Sequence, residues 1–234
     1  PAGPPGAAPR LNPVLFGSDT YRDYWRYAAD NAASAAAGRW VYTDSLNGNN
    51  RRFERIGIDS RLHLEHGSLG IANETELGLR YMAEEMHDVT VAATRATPRT
   101  GPLSRDVVDS ADSWALYAQN RFLLSGTVAV TAGLRAEFYE QRRLDRRRSE
   151  AQGNRARTSN TELMPGLGVT WRVADGLQVF ANAYKAFSPA LNGDALNGLE
   201  DQRLDAERST NVEAGPRGSA GAPGYGGAGF RVDF

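Results

Sequence analysis

The chain reads as an all-β protein: an antiparallel transmembrane β-barrel segment, partial, with about eight long strands, short turns at one end and long loops at the other. Three observations predict this. First, residues 51–84 alternate with a period of two. Ile56, Ile58, Leu62 and Leu64 lie on one face, while Arg55, Asp59, Arg61, His63 and Glu65 lie on the other. Second, each alternating run lasts about ten residues, near the roughly 9–11 that cross a tilted bilayer and above the roughly 5–6 of soluble strands. Third, the breaks between runs alternate short and long, as in barrels with short periplasmic turns and long extracellular loops.

Composition sets bounds. The 234 residues are 41% hydrophobic and 24% charged, ordinary for a folded chain. The net charge of −1 provides no field for nucleic acid, and none is expected as a partner. Cysteine is absent, so disulfide and thiolate chemistry are excluded. No apolar run is long enough for a transmembrane helix, which leaves a barrel open because its strands keep mean hydropathy low. No basic region followed by an apolar core opens the chain. An exported barrel is therefore expected to have its true N-terminus upstream; a cytosolic protein is the competing reading.

Element by element, residues 1–50 are expected to be a loop or linker region, an extracellular loop of the barrel with a possible short helix. Residues 1–17 are rich in Pro, Gly and Ala. Residues 18–37 suit a helix capped by Ser18 or Asp19 and closed by Gly38. Trp40, Val41 and Tyr42 mark a short strand, and residues 47–50 (NGNN) a turn. From residue 51 to 234 a partial barrel is expected. Its first hairpin breaks at 66–73 and returns through Thr75, Leu77, Leu79 and Tyr81. Residues 87–112 read as a long loop and 113–123 as a strand of ambiguous facing. After a tight turn at 124–127, Val128, Val130, Leu134 and Phe138 alternate again. Residues 142–160 read as a basic loop. Strands at 162–173 and 177–187 flank an Asp175-Gly176 hairpin turn. A polar loop at 188–203, a strand at 204–217, a Gly-rich turn at 219–229 and a strand start at 230–234 complete the reading.

Three stretches resemble the barrel of TonB-dependent outer-membrane receptors. Thr131-Ala132-Gly133-Leu134-Arg135 has the family's T-x-G-x-R shape. Pro165 through Trp171, followed by Phe187-Ser188-Pro189, is similar to its P-x-x-G-x-x-[W/Y] strand and following G-F-x-x-P. Glu207 through Gly215 is similar to E-x-S-x-N-x-E-x-G, and Glu76 through Glu85 adds to the match. Ala186 departs from the usual Gly, and Pro216 sits inside a strand. The resemblance, nearest the ferric-citrate-type subgroup, covers about residues 51–234. It implies a fragment of a 22-stranded barrel lacking its plug domain. It also implies a Gram-negative outer-membrane location and active uptake of a ferric siderophore or citrate-like chelate, with outer-membrane lipid around it and the TonB complex reached through the plug. The competing reading is a small complete barrel acting as an adhesin or structural anchor, with Phe230, Val232 and Phe234 as an assembly signal. A hydrolase is a third possibility that lacks the residues.

Candidate chemistry is sparse. His63 and His66, three apart on a strand, point to opposite faces, so no metal site is expected there. His87 stands apart. Three histidines and no cysteine leave no nucleophile–base arrangement, so no catalytic residue is named and no cofactor beyond the transported chelate. The most suggestive cluster is Arg142, Arg143, Arg146, Arg147, Arg148, Arg155 and Arg157. An exposed basic loop at the mouth suits an anionic chelate through forked hydrogen bonds. Lipopolysaccharide contact, or a solvated loop partly paired by Asp145 and Glu150, is the alternative. Arg142, Arg143, Arg146, Arg147 and Arg148 are taken as ligand-binding candidates with Tyr139 and Glu84. Arg80, Arg135 and Glu137 read as lumen wall.

Overall fold

The computed structural model describes residues 8–68, 70–190, 196, 206–219 and 224–233. They form β1 (Arg10–Arg22), β2 (Trp25–Ala29), helix α1 (Asn31–Ala37), β3 (Tyr42–Ser68), β4 (Ile71–Thr94) and β5 (Leu103–Leu123). The chain continues as β6 (Val128–Asp145), β7 (Arg155–Ala174), β8 (Leu177–Ser188), β9 (Glu207–Ser219), β10 (Gly224–Gly226) and β11 (Gly229–Asp233). All strands join one antiparallel sheet in the order β1-β3-β4-β5-β6-β7-β8-β9-β10, with β2 on β3 and β11 on β9.

The register assigns two faces. Leu62, Leu77, Ala118, Leu134 and Pro165 share one cross-strand row. The next rows are Ser60, Leu79, Leu116, Ala136 and Leu163, then Ile58, Tyr81, Trp114, Phe138 and Thr161. Leu116, Leu134 and Leu163 are 51%, 50% and 59% exposed. A continuous apolar face open to its surroundings suits lipid contact. The opposite face carries Asp59, Arg80, Glu137 and Glu162 in one row and Arg61, Gly78, Tyr117 and Arg135 in the next. Alternation thus separates an outward apolar side from an ionic lumen side. It also settles β5: Trp114, Leu116 and Ala118 face outward, Ser113, Ala115 and Tyr117 inward.

The aromatic row of Tyr81, Trp114 and Phe138 lies ten residues along β4 from the Ser68–Ile71 turn. At roughly 3.3 Å per residue and a tilt near 40° this is about 25 Å, the height of the apolar band in such barrels. The strands do not stop there. β3, β4 and β5 are 27, 24 and 21 residues long. More than half of β3 therefore stands beyond the aromatic row.

That extension corrects several expectations. Residues 87–112 are not a long loop: β4 runs to Thr94, β5 starts at Leu103, and Val89 pairs with Asp106. Residues 142–160 shrink to a turn at 146–154. Polar residues stand on both faces of these extensions, broken only by short apolar stretches such as Val89 and Val91, so the apolar period weakens although the ladder of backbone hydrogen bonds continues. The NGNN segment is no turn either. It lies within β3, between β4 and β2, where Gly48 makes room for the Trp25 ring; a Cβ there would meet the ring at 2.7 Å.

The first 50 residues also differ from expectation. β1 pairs along its 13 residues with β3, so residues 10–22 belong to the wall rather than to a loop, and a boundary at residue 50 falls inside β3. The helix is shorter than 18–37. Asp30 caps it, its Oδ1 accepting from the Ala33 N–H at 2.9 Å, and Gly38 closes it in the left-handed conformation as expected. Residues 18–22 instead satisfy their backbone groups on β3. The Asp175-Gly176 turn forms as expected, with Gly176 at φ +76°. Most of the expected loop at 188–203 and part of the Gly-rich turn lie outside the described residues. Pro216 is accommodated within β9, opposite Val179.

Candidate functional site

Above the aromatic row, the lumen face of β3–β6 carries a hollow of about 830 Å³. Strand parity fills it with ions of both signs. Phe53, Met86, Asp109 and Arg143 form one inward row, and Arg55, Glu84, Ala111 and Gln141 the row below. Arg51, Asp88 and Val107 lie above.

The centre is the pair Arg143–Asp109. Arg143 Nε and Nη2 donate to the two carboxylate oxygens, each at 2.7 Å, and the side chains are 6% and 3% exposed. This fork-to-fork geometry is the strongest kind of side-chain hydrogen bonding. Asp109 first, and nearby Asp88 and Asp145, push the Arg143 guanidinium above its ordinary pKa against the opposing effect of burial. The buried Asp88 sits between two more guanidiniums. Arg105 Nε donates to Oδ2 at 2.9 Å, while Arg51 Nε stands 3.1 Å from Oδ1 without hydrogen-bond alignment. Below, Arg55 holds Glu84. Tyr139 stacks on Phe187 with ring centroids 5.8 Å apart, and Gln141 donates to the Ala190 carbonyl at 2.8 Å. The wall is thus rigidly ion-paired, with aromatic surface beside it. It can recognise a polar ligand by hydrogen bonds.

The seven candidate residues do not form one cluster. Arg143, Tyr139 and Glu84 meet in the hollow. Arg142 does not: one position away on β6, it faces outward, donating to Asp112 at 2.9 Å and to Glu140. Arg146, Arg147 and Arg148 stand beyond the end of β6, where Arg147 donates to the Ser104 carbonyl and Arg148 to that of Gly153. Asp88, Asp109, Arg51 and Arg105 were missed. Residues 106–111 mix polar and apolar side chains on both faces, Asp106, Val108 and Ser110 on one and Val107, Asp109 and Ala111 on the other, so no period marks them in the sequence.

His63 is on the inward face and His66 on the outward one, where it bonds Thr75 at 2.8 Å. His87 is not alone, since Nε2 lies 2.7 Å from Asp106 Oδ1, a contact created by the extension of β5. Among the described residues no group of three or more His, Asp or Glu side chains is arranged to hold a metal ion.

Solved structures share this fold. The unliganded ferric citrate transporter FecA is 18% identical with a TM-score of 0.76, covering 96% of this chain and 32% of its own. The ferric-catecholate import receptor Fiu of E. coli, in its closed form, is 13% identical with a TM-score of 0.74, covering 96% and 38%. The ferripyoverdine receptor of Pseudomonas aeruginosa is 17% identical with a TM-score of 0.65, covering 95% and 30%. These are transporters and receptors rather than enzymes, and the chain spans about a third of their length. The long antiparallel strands, the outward apolar band and the ionic lumen wall agree with the family model for the TonB-dependent receptor-like β-barrel, which matches residues 10–234, and the chain belongs to that family.

Proposed function

We propose that this chain forms part of the wall of a Gram-negative outer-membrane receptor that imports a ferric siderophore or citrate-like chelate with energy delivered through TonB. The observation that carries the reading is the lumen-side hollow at the extracellular half of the wall. Its buried Arg143–Asp109 pair, Glu84 and Tyr139 face the passage, and below the aromatic row the opposite face of the same strands is apolar. A volume of about 830 Å³ lies within the usual range of small-ligand sites. Arg143, Glu84 and Tyr139 are the proposed ligand-side residues. Arg146, Arg147 and Arg148 stand at the rim, where their positive charge favours an anionic chelate entering.

The pairing supports a wide barrel over a small closed one. Among the described residues β1 pairs with β3 at one side of the sheet, and β10 and β11 pair with β9 at the other. The test uses the receptor encoded by the whole gene. Purified protein is titrated with ferric citrate and a ferric catecholate by tryptophan fluorescence, and iron-55 uptake is followed in cells with and without TonB. Saturable binding of one chelate and TonB-dependent uptake are expected. Uptake unaffected by loss of TonB, or no binding of either chelate, would overturn the reading.

A further inference from the structure

Above the aromatic row, the outward face carries its charges in two blocks. The register sets Asp19, Glu54, Glu85, Ser110, Arg142 and Arg157 in one row across β1, β3, β4, β5, β6 and β7. Carboxylates stand on one side of Ser110 and guanidiniums on the other. Like charges directly opposite each other destabilise a sheet, and the chain compensates each block only in part. Arg52 holds Asp19 at 2.8 Å and Glu54 at 3.1 Å. Glu85, opposite Glu54, is exposed and makes no hydrogen bond or ion pair among the described residues. On the other side, Arg142 and Arg157 share Glu140. Arg142 uses Nε on Glu140 and Nη1 on Asp112, while its Nη2 donates to none of the described residues. The two arginine side chains are 49% and 68% exposed.

A row that is acidic on one side and basic on the other is complementary to itself. Turned by a half-rotation about the membrane normal through Ser110, a second copy sets its basic block against the acidic block of the first, and the reverse. This is the isologous contact of a twofold dimer. Strands about 4.8 Å apart and tilted near 40° leave Glu85 and the Arg142 of the second copy about 6 Å apart in height, within reach of two long side chains. The surface is also recessed at the axis. Glu54, Ile56, Ala83, Glu85, Ser110 and Arg142 line a hollow of about 510 Å³, which admits side chains where two convex walls would otherwise touch first. Asp112, near the axis, is already held by Arg142 and by the Tyr81 hydroxyl at 2.9 Å, so it adds little repulsion.

We propose that this face is the contact between two copies of the chain lying side by side in the outer membrane, with Glu85 of each against Arg142 of the other. The proposal rests on the outer-membrane placement argued above, but not on the identity of any chelate.

The test uses the receptor encoded by the whole gene, in the outer membrane of living cells. Ser110→Cys places a thiol at the axis, where it faces its own copy. A short bis-maleimide should then join two receptors, beyond any product given by the unsubstituted protein. Ala183→Cys, exposed on the outward face of β8 and far from the axis, should not join them. Added to Ser110→Cys, Glu85→Arg breaks no ion pair within its own chain. It should cut the dimer roughly tenfold or more, because symmetry makes the contact twice and like charges now meet. Arg142→Glu on top of it reverses both signs and should restore the dimer; Glu85→Arg decides the matter if that variant does not fold. No dimer from Ser110→Cys, as much from Ala183→Cys, or a dimer indifferent to Glu85→Arg would overturn the proposal. So would a cross-linked product whose mass is not that of two copies, since another partner would then hold the face. Iron-55 uptake is followed in the same cells: loss of TonB dependence with the dimer intact overturns the transport reading and leaves this one standing.

Discussion

Asp109→Asn isolates the buried pair at the centre of the lumen wall. The substitution keeps the shape of the side chain but removes its charge and replaces one acceptor oxygen by a donor facing the guanidinium. Arg143, 6% exposed and bonded twice at 2.7 Å, would keep its charge with one of the two bonds lost. Breaking a buried ion pair from one side costs about 3–5 kcal/mol. Asp88 and Asp145 also favour the Arg143 charge, which places the expectation near the lower end, about 3 kcal/mol. Replacing both partners, Asp109→Leu with Arg143→Met, leaves no buried charge and should restore stability to within about 1–2 kcal/mol of wild type. Denaturant unfolding of the whole receptor in detergent, followed by tryptophan fluorescence and by heat-modifiable gel mobility, measures both. The reasoning is refuted if Asp109→Asn costs less than about 1 kcal/mol, the scale of an exposed pair. It is equally refuted if the double variant is as unstable as the single one.

Three further outcomes follow from the two faces and their close approaches. Leu134→Arg, on the outward row midway up the apolar band, should destabilise by about 2–4 kcal/mol in a lipid-reconstituted unfolding titration, whereas lumen-facing Gln119→Arg should stay within about 0.5 kcal/mol. Gly57→Val should cost about 1–3 kcal/mol in the same assay, because a Cβ there would stand 2.4 Å from the Phe16 ring and 2.6 Å from the Tyr81 carbonyl oxygen. Gly176→Ala should cost about 1–2 kcal/mol and speed amide exchange at Leu177. Its φ of +76° is left-handed, and the new Cβ would lie 2.5 Å from the Ser219 carbonyl oxygen.

The sequence by itself determined the fold class, the antiparallel hairpins, the Asp175-Gly176 turn and the inward facing of Arg80, Glu84, Arg135, Glu137 and Tyr139. A strand between lipid and water must alternate, and a period of two is visible without any partner. The same rule kept His63 and His66 on opposite faces. It did not reveal β1, whose Pro13 and Gly17 look like loop residues until the whole strand is set against β3. Nor did it reveal the extensions of β3–β7 beyond the aromatic row, where polar residues stand on both faces and the period carries little contrast. There the hydrogen-bond ladder of the neighbouring strand, a long-range property, holds the chain extended. This is why seven closely spaced arginines read as one basic loop. Tertiary structure divides them by parity: Arg143 is buried against Asp109 in the lumen wall, while Arg142 and Arg157 face outward over a shared Glu140.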